Sequence, residues 1–145
     1  MLAIVGRPES WNLPLFLHVV GATVVTGATA AAFVCAVSEP RFPWLRPILA
    51  RTLLLVTFPA WILMRAGGAW EDSRSPIGND STWLAIGYIV GDLGFVLLIV
   101  ACIFAAVAVR RPQRAWPPRV VAILTGVYFV ALLVAMFAMT GKPGS

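Results

Sequence analysis

Three ionisable side chains, His18, Arg65 and Asp92, stand inside long apolar runs of this sequence, and Tyr88 precedes Asp92 by four residues. A carboxylate within a hydrocarbon layer is costly unless it is paired or faces water. Such a residue therefore marks a place where a proton, a cation, a ligand or a neighbouring helix is held. On a helix, Tyr88 and Asp92 lie about 40° apart, so phenol and carboxylate share a face. Three functions follow from these residue types. The cluster His18, Arg65, Tyr88 and Asp92 could hold a partner or small ligand in a non-catalytic membrane protein. Asp92 could bind a proton or cation in a small oligomeric transporter or channel, with His18 on the exit path. His18 from two copies could bind one haem. Each has a plainer counterpart: Asp92 fixing helix register, His18 hydrogen-bonded in the interior, and Arg65 extending its stem to the membrane surface.

Other chemistries lack the residues they need. A metal site takes about three or four protein ligands. The apolar runs offer one His, one Asp and two separated cysteines, Cys35 and Cys102, with no CxxC spacing. No metal site is expected, and the cysteines read as small packed residues. There is no glycine-rich phosphate loop and no Ser–His–acid order, so no residue is assigned a catalytic role.

The surrounding elements are membrane spans. Of the 145 residues, 60% are hydrophobic and 12% charged, against about 45–50% and about 25% in soluble domains. The net charge of +5 sits in short stretches between apolar runs, as membrane orientation requires, so nucleic acid is not an expected partner. Spans are expected at about 13–37, 48–66, 83–109 and 120–139, forming one transmembrane domain over 1–145. The first run reads as a span and not a cleaved signal, because the stronger positive cluster follows it. Pro14 falls in the first turn of span one, and Pro59 should kink span two. Gly67-Gly68 should end span two, leaving 68–82 as a polar loop. Asp80, Ser81 and Thr82 offer N-caps for span three.

Seven arginines flank the turns between spans one and two and spans three and four, against four basic residues on the other side. The positive-inside rule then puts both termini outside the cytoplasm. Trp11, Trp70 and Trp83 would mark the outer interface, and Trp44 and Trp116 the inner one. From Trp83, Asp92 is about 14 Å deep; from Trp11, His18 is about 10 Å deep; from Trp70, Arg65 is about 8 Å deep. All three share the outer half of the bilayer.

Gly87, Gly91 and Gly94 lie roughly 100–160° from Asp92 on their helix, a close-packing surface against another helix or a second subunit. On span one, His18, Gly21, Ala22, Thr26 and Thr29 share an arc, while Gly27 and Ala31 face elsewhere as a further packing surface.

The segments FPAWILMRAGGAW, TWLAIGYIVGDLG and AMTGKPG together resemble uncharacterised four-span integral membrane proteins of actinobacteria. The first helix, LPLFLHVVGATVVTGA, resembles the opening helix of copper-resistance-D-type membrane proteins, in which a histidine is followed by small residues. The copper-resistance likeness implies further His or Met ligands in later helices; span four carries Met136 and Met139 but no His. The resemblance to the actinobacterial proteins implies a bacterial inner-membrane location and no particular activity.

The expectation is an all-α, four-helix, up-and-down transmembrane bundle with both termini extracytoplasmic. Its partners would be the lipid bilayer and, through the small-residue faces, further copies of itself or a larger membrane complex.

Overall fold

The computed structural model describes residues 9–74 and 82–141, with side chains described over 13–73 and 82–141. Helix α1 (Glu9–Ser38) is followed by a continuous helical rod. That rod consists of α2 (Leu45–Arg51), a π-helical turn (Thr52–Thr57) and α3 (Phe58–Arg74). Helices α4 (Thr82–Arg110) and α5 (Trp116–Gly141) complete the chain, with no strand among the described residues. Four helices are long and apolar enough to cross a membrane, namely Leu13–Ser38, Leu45–Ser73, Thr82–Arg110 and Trp116–Gly141. The chain is a multi-pass membrane protein. Its spans run up and down: Pro14 near the start of α1 meets Gly67 near the end of α3, and Met139 near the end of α5 meets Gly87 near the start of α4.

Pro14 sits deeper in its helix than expected, and Pro59 follows a widened turn. Pro14 lies inside α1 and not in its first turn, because the helix begins at Glu9. Pro59 does not break span two. Its missing N–H and its ring would clash with an ordinary preceding turn. The turn widens instead, with the Phe58 N–H reaching back five residues to Leu53 O. Thr57 Oγ1 follows the same course, donating to Thr52 O at 3.1 Å.

The larger correction concerns Gly67-Gly68. They do not end span two; α3 continues to Arg74. A glycine costs a helix interior about 1 kcal/mol relative to alanine, and here close packing on α1 offsets that cost. A Cβ on Gly67 would lie 2.6 Å from the His18 backbone nitrogen, and one on Gly21 2.7 Å from Met64 Cα. Small residues thus bring the two backbones together, as membrane helices without a hydrophobic driving force require. The expected polar loop is shortened, so Glu71 and Asp72 stand on α3. Helix α4 begins at Thr82, while Asp80 and Ser81 lie outside the described residues.

Around the bundle, α3 packs on α1, α1 on α5 and α5 on α4, whereas the α3 and α4 backbones stand further apart and meet through side chains. The ring closes at the Ser38/Arg110 end, where α2 meets α4. The core lies toward that end, with Ala32, Ala36, Leu49, Leu53, Leu98, Ala105 and Val121 among its buried members. Alanines at four-residue spacing (Ala28, Ala32, Ala36; Ala101, Ala105) let the backbones approach there. The same end carries a clasp: Arg46 Nε donates to the buried Glu39 carboxylate, and Arg46 Nη1 donates to Pro112 O in the α4–α5 turn.

Candidate functional site

At the opposite end the four spans line an open cavity of about 470 Å³. That is within the range of pockets that accept small ligands, about 300–1,000 Å³. Its body is apolar or small, with Ala22 from α1, Met64 and Gly68 from α3, Gly87 and Gly91 from α4, and Leu132, Ala135 and Met139 from α5. Its polar wall is made by His18, Arg65, Glu71, Asp72 and Tyr88.

His18 is held by the α1–α3 crossing. Its imidazole lies over Gly68, where a Cβ would sit 2.9 Å from Nδ1. Nδ1 is 2.8 Å from Met64 O; a carbonyl only accepts, so Nδ1 carries the proton of that bond. The neighbouring small residues fall as their spacing predicts, with Ala22 and Thr26 on the cavity wall and Thr29 buried.

Across the opening, Arg65 of α3 joins two residues of α4. Its Nε donates to Asp92 Oδ1 at 3.1 Å, and its guanidinium carbon lies 4.8 Å from the centre of the Tyr88 ring. The Tyr88 hydroxyl donates to Asp72 Oδ2 at 2.8 Å. One turn deeper, Trp61 Nε1 donates to Gly91 O at 3.0 Å and its ring stacks on Phe95 with centroids 4.6 Å apart.

Thus Arg65, Tyr88 and Asp92 come together as expected, and His18 shares the cavity with the first two. His18 and Asp92 do not meet. The Asp92 side chain is 62% exposed and lies on the flank of the bundle, outside the cavity wall. The cause is helical phase: Gly87, Gly91 and Gly94 turn α4 inward, and the residue next to Gly91 falls about 100° around. The glycine surface packs within the chain. Met139 covers Gly87, a Cβ on Gly94 would collide with the Tyr128 ring, and Gly91 is buried beside the Arg65 stem. Gly27 has the opposite placement, exposed with nothing within 4 Å of a Cβ built on it. It packs on no described helix of this chain.

Reading 68–82 as a loop left Glu71 and Asp72 out of the site. Arg65, Gly68 and Asp72, at i, i+3 and i+7, share a helix face that Glu71 adjoins, a signal present once Gly68 is taken as helical. Among the described residues, no three or more His, Cys, Asp or Glu side chains gather as a metal site. Compared with protein-family models, curated proteins and solved structures, the chain matches none. Function has to be read from the geometry.

Proposed function

We propose that this protein is a non-catalytic, lipid-embedded receptor or subunit that binds a small lipid-soluble molecule between its four spans. The observation that carries this reading is the cavity itself: about 470 Å³, bounded by every span, apolar in its body and polar on one wall. Pockets that hold small ligands have that division, with apolar surface supplying affinity and a few polar groups fixing orientation. The arginine-rich turns at the clasp end support a cytoplasmic position for that end. The cavity would then open on the outer side of a bacterial inner membrane. The outward Gly27 surface is where a second copy or another subunit would pack.

Proton or cation transport through Asp92 draws less support, since the carboxylate is matched by Arg65 and stands outside the cavity. For a haem shared by two copies, His18 would have to face outward. Its ring instead packs on Gly68 and donates to Met64 O.

The test uses the protein in zwitterionic nanodiscs and an uncharged naphthylamine probe that fluoresces in apolar surroundings. Saturable binding is expected at one probe per chain, abolished by Ala22→Phe, which fills the cavity. Unsaturable partitioning, equal in wild type and variant, would remove the reading.

A further inference from the structure

The polar wall is unevenly charged, and the imbalance names a ligand class. Among the described residues, four charged side chains stand at or beside the opening: Arg65, Glu71 and Asp72 on the wall and Asp92 just outside it. Among them one guanidinium is set against three carboxylates. Two of the acids have partners. Asp92 takes the Arg65 Nε–H, and Asp72 takes the Tyr88 hydroxyl. Glu71 has neither: its Oε2 is buried with no hydrogen-bond partner among the described residues. A carboxylate oxygen shut away from water without a donor is unfavourable, and an incoming donor relieves that cost. The His18 Nδ1–H is given to Met64 O and so is not offered to Glu71. Trp83 also lines the cavity, and aromatic faces attract cations, as the Tyr88 ring already does for Arg65.

From this we infer that the cavity takes a lipophilic amine: an apolar body lying among Ala22, Leu132 and Ala135, and a protonated nitrogen donating to Glu71. This rests on the ligand-binding reading above and adds to it the charge of the head. A neutral lipid tail would leave the Glu71 oxygen unpartnered, and a fatty carboxylate would bring a fourth acid to one guanidinium. Turning the Glu71 carboxylate from its buried position toward the cavity completes an N–H···O bond between opposite charges. Charge-assisted bonds of that type are about twice as strong as neutral ones.

The experiment is competition for the naphthylamine probe in zwitterionic nanodiscs by decylamine, decanol and decanoate. These share a chain length and differ in head charge. Decylamine is expected to displace the probe at a concentration about tenfold lower than decanol, with decanoate weakest. In Glu71→Gln, probe binding should persist while decylamine falls to the level of decanol; Glu71→Asp should keep part of the preference. Equal potency of amine and alcohol on the wild-type protein overturns the inference without recourse to any variant. So does an amine preference undiminished in Glu71→Gln. Either result leaves saturable probe binding, and with it the ligand-binding reading, intact. Loss of probe binding in the wild type would instead remove that earlier reading.

Discussion

The two ion pairs of the described chain sit at opposite ends of the bundle and do opposite work. In the clasp, the Arg46 and Glu39 side chains are 14% and 4% exposed, and a second guanidinium nitrogen reaches Pro112 O. The pair ties the α1–α2 turn to the α4–α5 turn, and the helices between those turns are packed on small residues. At the other end, Arg65 and Asp92 are 32% and 62% exposed, and they join α3 and α4, whose backbones stand apart and meet through side chains. One pair closes a packed end. The other spans the mouth of a cavity and leaves room behind it. A buried charge without its partner is expensive, whereas an exposed pair contributes little to stability. The closed half is therefore built to stay, while the open half can change its contacts at small cost.

That contrast can be broken in order of effect. Glu39→Ala strands a nearly buried guanidinium and should lower stability by about 3 kcal/mol, read from SDS-induced unfolding in mixed micelles. Replacing the pair together, Glu39→Leu with Arg46→Met, should restore most of the loss; no recovery would mean that the Pro112 bond is the part that matters. Gly67→Ala forces α3 away from α1 and should cost about 2 kcal/mol in the same titration. An unchanged midpoint would show that the crossing is looser than its backbone distances imply. Asp92→Asn should cost about 1 kcal/mol or less, and a loss as large as that of Glu39→Ala would erase the distinction between the ends. Tyr88→Phe removes one hydrogen bond between helices and should cost about 0.6 kcal/mol, with the Arg65–ring contact retained.

The spans were legible because each is a long apolar run, and the membrane tolerates little else between two polar surfaces. The pairing of Arg65, Tyr88 and Asp92 was legible from depth and helical phase. Gly67-Gly68 was misread because glycine carries two opposite meanings, helix terminator in water and close-packing residue between membrane helices. Only the partner surface of α1 tells them apart. Glu71 and Asp72 were lost to the same error. Glu39 and Arg46 were visible as loop charges, yet nothing local indicates that they meet each other and a carbonyl some seventy residues away.

Composition and periodicity alone determined that this chain has four membrane-spanning helices and that His18, Arg65 and Asp92, the ionisable residues inside the apolar runs, lie toward one end. Those properties depend on transfer of single residues and on the regular geometry of one helix. Tertiary structure decided which surfaces touch: that Asp92 lies on the flank, that His18 faces a cavity, and that the Glu71 Oε2 finds no donor among the described residues. Such outcomes depend on how far two backbones approach, which is set jointly by side chains distant in sequence.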